Sequence, residues 1–464
     1  MTLTKKEHTM KTYAKQMRYA MFWGIVSMLA VSCSRETETE DVTLTSEESI
    51  YLAEELGAKR KQVFEEGPTQ GQVKERLAQR GNHNDMLPTG FHVAPFDTLK
   101  VKVTQLTGNR LPQVVVGTPF RDNVRPLRTY YSLEEGNNIF VADEYGGTVY
   151  VRYVTTEAPD SSAEIKFQDG FKKVPYYVKG ATTKSEWLQM LDIFDDVRDV
   201  MFVTDHAMLT VGLEDAIAHK DEDQDLMCEY LDRIMEAEGA ISGLDGSSPV
   251  HENREYKFLL TVRAPEAGGY MAASIALYFT RGVIDRLLMP EKLGGMNGWG
   301  PWHEAGHVHQ QAAWTWSEVG EATVNIYSLA AERAFGLSPS RVSTNGEWPV
   351  VETYLALPDA DRNFNSSAAS HGIRMAMFHQ LWLAYGDDFY IRLHKETREE
   401  NPDPGTNSDR MRYFMLKSCT ISGYDLTDFF RKWGLPVARS VYDEIAALNL
   451  PAPEEDLTLL RDEE

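Results

Sequence analysis

The spacing of apolar positions changes twice along this chain. Over residues 46–80 they are sparse, set among charges at helical intervals, opened by Ser46-Glu-Glu-Ser in N-cap style and interrupted at Gly67-Pro68. A short helical pair or stalk is expected there. From about Leu87 to Val178 the interval becomes two, and residues 99–103, 112–117, 138–141 and 148–154 read as strands. Turn signals at Thr107-Gly-Asn and Tyr145-Gly-Gly separate them, which predicts an antiparallel β-sandwich over residues 87–180. Beyond Thr182 the interval is mainly helical. Helices are predicted over 185–196, 213–239, 317–334, 370–385, 407–418 and 426–433, with strands at 257–263 and 276–279. Strands followed by helices predict an α+β chain: the sandwich, then a helix-rich domain over 181–455, then a short acidic tail over 456–464.

A length of 464 residues asks for two or three domains. Hydrophobic content of 42% and charged content of 25% are those of a globular protein. The formal net charge of −23 excludes a nucleic-acid binder, which needs clustered Lys and Arg against phosphate. The first residues read as a targeting segment. Lys5, Lys6, Lys11, Lys15 and Arg18 precede an apolar run at 20–30 that is too short to span a bilayer, and Cys33 closes it. This resembles a bacterial lipoprotein signal, with Cys33 as the lipidated residue; an ordinary cleaved signal peptide is the alternative. Residues 34–86 then combine an acidic tether (Glu36, Glu38, Glu40, Asp41) with the short helical region. The resemblance implies an outer-membrane lipoprotein of a Gram-negative bacterium, exposed at the surface and held to the membrane by an N-terminal lipid. Cys228 and Cys419 are too far apart and too isolated for a disulfide framework or a zinc site, and both read as core residues.

The chemistry is carried by Trp302-His-Glu-Ala-Gly-His307. Residues four apart on a helix lie roughly 40° apart in projection, so His303 and His307 can face one ion, with Glu304 beside them. Zinc in a hydrolytic site takes three protein ligands and leaves a position for water. A third His in the metzincin pattern is excluded, because Gln310 and Ala313 stand where Gly and His would be. His309 points roughly 200° around the helix, away from the ion. A carboxylate from the next predicted helix remains: Glu321 is the assignment and Glu318 the alternative, with Glu332 further on. Asn325, one turn beyond Glu321, is positioned either to orient that carboxylate or simply to pack. Gly306 costs roughly 1 kcal/mol against Ala inside a helix, which points to close approach by another backbone.

The run from Gly298 to Gln310, then Trp314-Thr-Trp, then Glu321-Ala-Thr-Val-Asn-Ile-Tyr-Ser328, resembles the enhancin-like zinc metallopeptidases, viral enhancins and bacterial mucin-degrading peptidases. The likeness extends from Thr89-Gly-Phe through Tyr145-Gly-Gly-Thr-Val-Tyr150 and Gly268-Gly-Tyr270 to Leu448-Asn-Leu-Pro451. It implies a zincin-type (gluzincin-like) catalytic domain with one Zn²⁺ per chain, held by His303, His307 and Glu321, with Glu304 as general base. It also implies O-glycosylated, mucin-like protein substrates. The competing reading is a glycan-binding surface lipoprotein whose zinc domain is weak or inactive. Tyr327, His371 and His379 are candidate oxyanion donors by residue type alone. Gly268-Gly-Tyr270 is a candidate edge for holding an extended peptide. Trp299, Trp302, Trp314 and Trp316 crowd the motif, either to stack on sugars or to pack the core.

Overall fold

The computed structural model describes residues 53–82, 84–122, 128–264 and 269–462. The targeting segment, Cys33 and the acidic tether lie outside the described residues, as does Gly268. The sandwich is present as two antiparallel sheets. One has the strand order Lys61–Glu65, Ser162–Asp169, Thr98–Thr107, Gly136–Val141; the other runs Lys172–Lys173, Leu87–Val93, Gly147–Arg152, Gln113–Val116, Thr129–Ser132. Alternation explains it. Leu99, Val101 and Val103 point inward with no exposed surface, as do Ile165 and Phe167 on the neighbouring strand and Val149 and Val151 from the facing sheet. The helical reading of residues 46–80 fails at Lys61–Glu65, an edge strand in register with Ser162–Asp169 that buries Phe64. An exposed Val63 and an inward Gln62 erase its two-residue period in the sequence. Helix survives at Gln70–Arg76, opened by a capping box between Thr69 and Gln72.

A six-stranded mixed sheet follows, ordered Tyr176–Val178, Asp199–Val203, Ala207–Gly212, Phe258–Val262, Leu277–Phe279, Met271–Ala273. Its second and third strands are buried at every position. Strands covered on both faces show no alternation, which is why the spacing of residues 199–212 did not reveal them. One face of the inner sandwich sheet packs on this part of the core through Val115 and Tyr150. The Tyr150 hydroxyl lies 2.8 Å from the Thr118 hydroxyl and 3.0 Å from that of Thr210, so it ties the two sheets together.

The remainder is helical. The helix predicted at 213–239 is two, Leu213–Ala218 and Gln224–Ile241, the second restarted by an Asp223 cap. That predicted at 317–334 is three successive turns and helices: Ser317–Val319, Gly320–Thr323 and Asn325–Ala334. His371–Tyr385, Asn407–Ser422 and Thr427–Trp433 lie where expected; Asp387–Glu400 and Arg439–Ala447 were not anticipated. Cys228 and Cys419 are free and buried in separate parts of the core. Asp456 to Asp462 packs against the helices: Leu457 is buried, and the Gln380 side chain donates to the carbonyls of Thr458 and Leu460. No helix among the described residues is long and apolar enough to cross a membrane.

Candidate metal centre

The motif sits on the helix Trp299–His309, with Pro301 in its first turn. Trp302 anchors that helix from its buried face: its indole donates to the Leu293 carbonyl at 3.0 Å and its ring stacks on Phe335. Helical geometry then puts His303 and His307 on the opposite, half-buried face, with ring centroids 4.8 Å apart. The chain leaves the helix at Gln310 and returns through Gly320–Thr323, which carries Glu321 across from the two imidazoles. One Glu321 carboxylate oxygen is 3.1 Å from His303 Nε2 and 3.6 Å from His307 Nε2. Among the described residues, these three side chains form the group whose ligand atoms converge, all within 4.8 Å of one another. Glu318 stays outside it.

The far nitrogen of each imidazole is also engaged. His303 Nδ1 is 2.9 Å from Asn325 Oδ1, and His307 Nδ1 is 2.9 Å from Gln310 Oε1. An amide oxygen only accepts, so both Nδ1 atoms carry hydrogen and both Nε2 atoms face Glu321. Asn325 therefore acts differently from its expected role. Its amide donates to the Glu321 main-chain carbonyl at 2.9 Å and leaves the carboxylate alone; the group it orients is His303. Gln310, read from sequence only as the residue that rules out a metzincin Gly, does the same for His307. Its bond to His307 is local, three residues along the chain, but the bonds that fix its amide span the loop to Gly320 and Thr323, and the sequence does not mark those.

The centre opens onto a cleft of about 400 Å³ lined by Glu304, His307, Gln310 and Glu321 on the floor. Arg80–Asn82 form one wall and Met271–Ser274, including the terminal strand of the six-stranded sheet, form another. Burial pushes the Glu304 carboxyl above its ordinary range, against the pull of the neighbouring imidazoles, which suits a group that must take up a proton. The facing imidazoles of His303 and His307 hold Glu321 well below the usual carboxylate range. Burial would lower His307, but Glu321 and Gln310 raise it above the ordinary value. Two imidazole Nε2 atoms, both rings held through Nδ1, and an ionised carboxylate are a donor set that fits a zinc ion.

Other expected residues lie elsewhere. His309 is buried with its Nδ1 3.1 Å from the Ser242 hydroxyl. Tyr327 is fully buried, donating to the His309 carbonyl and contacting His394. His379 lies 3.6 Å from Asp462, and His371 is the exposed first residue of its helix. None of the three oxyanion candidates is among the residues lining the cleft. Glu332 is buried and accepts from the Arg341 amide. Trp302, Trp314 and Trp316 have no exposed surface and pack the core; Trp299 is half-buried under the Arg341 guanidinium. Gly306 meets its expectation: a Cβ there would lie 2.9 Å from the Val324 carbonyl oxygen.

Comparison with known proteins gives this arrangement a family. Residues 170–434 match peptidase M60, enhancin and enhancin-like, and residues 68–168 match the N-terminal domain of M60-like peptidases. A conserved protein of unknown function from Bacillus anthracis str. Ames superimposes with a TM-score of 0.77 at 27% identity, over 87% of this chain and 81% of that one. The M60 catalytic domain of Clostridium perfringens ZmpC, solved in complex with the sialyl T antigen, shares the fold with a TM-score of 0.70 at 19% identity, over 86% of this chain and 82% of that one. TRPM8 channel-associated factor 3 of Rattus norvegicus is 22% identical over 89% of this chain. The chain spans less than half the length of that relative, 46% of it.

Proposed function

This chain belongs to the M60 family of enhancin and enhancin-like peptidases, and from that premise we propose that it is a zinc endopeptidase acting on glycoproteins. The observation that carries the reading is the convergence of His303, His307 and Glu321 on one point of a cleft that also holds the buried carboxyl of Glu304. These three residues would hold one Zn²⁺, and a zinc ion there supplies Lewis acidity toward a peptide carbonyl and toward water. Glu304 takes the proton from the attacking water, then delivers it to the amine nitrogen as the peptide C–N bond breaks. Its raised proton affinity suits the first half of that task. Asn325 and Gln310 keep both imidazoles turned toward the ion. The strand Met271–Ala273, at the end of its sheet and in the cleft wall, offers main-chain groups along which an extended peptide can align.

The substrate class is O-glycosylated, mucin-like protein. Support comes from the family resemblance of the sequence and from the glycan antigen in the ZmpC complex. Anchoring at the bacterial surface through Cys33 rests on the targeting pattern of residues 1–33. The test is zinc content together with cleavage of a mucin-type glycoprotein, intact and deglycosylated, by wild type and Glu304→Ala. Stoichiometric zinc, cleavage of the intact form and loss of cleavage in the variant are expected. Zinc-free protein, or equal cleavage by the variant, would sink the mechanism. Preference for the deglycosylated form would remove the mucin assignment and leave a peptidase.

A further inference from the structure

We propose that Gln310 is a positioning residue for the metal centre, fixing the Nδ1–H form of His307 while being clamped from both sides by two distant stretches of chain. This inference rests on the zinc reading above. A neutral imidazole has two tautomers, and only the one with hydrogen on Nδ1 leaves the Nε2 lone pair free to bind a cation. Once a cation takes the Nε2 lone pair, the one ring hydrogen sits on Nδ1, and how well it is held there depends on the group facing Nδ1. Here that group is Gln310 Oε1 at 2.9 Å.

The orientation of that amide is itself determined. Gln310 Nε2 lies 2.6 Å from the Gly320 carbonyl oxygen and 2.7 Å from the Thr323 hydroxyl. The Thr323 hydroxyl spends its single hydrogen on the Val319 carbonyl at 3.0 Å, so toward Gln310 it presents a lone pair. Turning the amide over would set Oε1 against the Gly320 carbonyl and leave three groups badly paired in a side chain that is 1% exposed. Thus the segment carrying Glu321 fixes which Gln310 atom faces His307 Nδ1. The two ligands are coupled through Gln310 before any ion arrives.

The main chain of Gln310 is held from the other side. The Arg80 amide donates to the Gln310 carbonyl, and Gln79 forms an isolated bridge with Gln311. Gly81 passes so close that a Cβ would lie 3.1 Å from both the His307 carbonyl oxygen and Val308 Cα. The stretch before the first inner sandwich strand therefore forms part of the frame of the metal centre as well as a cleft wall.

The test uses the full chain, zinc-free and zinc-loaded. Gln310→Met keeps the volume and removes the hydrogen bonds. We expect zinc affinity, measured by competition with a chromophoric chelator, to fall about 10–100-fold. In the zinc-loaded protein, long-range ¹H–¹⁵N NMR is expected to show the His307 Nδ1–H resonance moving upfield and exchanging faster with water. Thr323→Val, which removes one of the two acceptors, is expected to move both readouts in the same direction by a smaller amount; it carries the test if Gln310→Met does not fold. A folded Gln310→Met with zinc affinity within about twofold of wild type, or with an unchanged Nδ1–H signature, overturns the proposal. Wild type that binds no zinc overturns the peptidase reading beneath it.

Discussion

Two glycines inside helices should respond to alanine with opposite signs, and the difference tests how tightly the centre is framed. At Gly306, on the motif helix, an added Cβ would lie 2.9 Å from the Val324 carbonyl oxygen, 3.0 Å from Tyr327 Cβ and 3.1 Å from Val324 Cγ2. Ordinary contact begins at 3.4 Å, so the helix carrying His303 and His307 must separate from the one carrying Asn325 by about half an ångström. Overpacking of this kind costs about 1–3 kcal/mol. The gain in helix propensity from Gly to Ala offsets about 1 kcal/mol of it. Gly306→Ala should therefore lose about 1 kcal/mol net. Gly239, in the helix Gln224–Ile241, is the control: the nearest atom to an added Cβ is Asn253 Nδ2 at 4.0 Å. With that space available, Gly239→Ala should gain about 0.5–1 kcal/mol. Urea denaturation in chelator-treated protein measures both, and zinc competition then reads the centre. Val324 stands between Glu321 and Asn325, so Gly306→Ala should also weaken zinc binding while Gly239→Ala leaves it unchanged. If Gly306→Ala stabilises the chain as Gly239→Ala does and binds zinc like wild type, the close-packing argument is refuted.

Glu304→Gln should lower kcat about 10²–10⁴-fold while keeping zinc, because Glu304 lies outside the converging ligand set; loss of zinc instead would make it a ligand. Asn325→Ala should lower zinc affinity about 10–100-fold by releasing His303 Nδ1, and an unchanged affinity in the chelator assay would show that the contact orients nothing. Burial raises the Glu332 carboxyl to about 7, and its Oε1 has no hydrogen-bond partner. In the folded chain it thus holds a proton that the unfolded chain releases near 4.5, so stability should fall as pH rises from about 4.5 to about 7. Glu332→Gln removes that slope and should be the more stable by up to about 3 kcal/mol at pH 8, at 1.36 kcal/mol per unit; parallel wild-type and variant stability curves across that range would contradict the burial argument.

What the sequence determined by itself is what short-range geometry dictates. His303 and His307 share a helix face because they are four residues apart, and nothing distant can alter that. The sandwich was legible where strands have one dry and one wet face, as in Thr98–Thr107, and Gly306 was legible because a helical glycine is costly without a neighbour to accommodate. Asp199–Val203 and Ala207–Gly212 were hidden for the complementary reason, being dry on both faces. Only the tertiary structure brought Glu321 rather than Glu318 to the two imidazoles, because one turn of a helix decides which carboxylate faces them. Only the fold turned Asn325 toward His303, and only the fold gave Gln310 a role. Those hydrogen bonds join groups whose separation in space is fixed by packing between helices and by a loop, and packing leaves no period in the sequence.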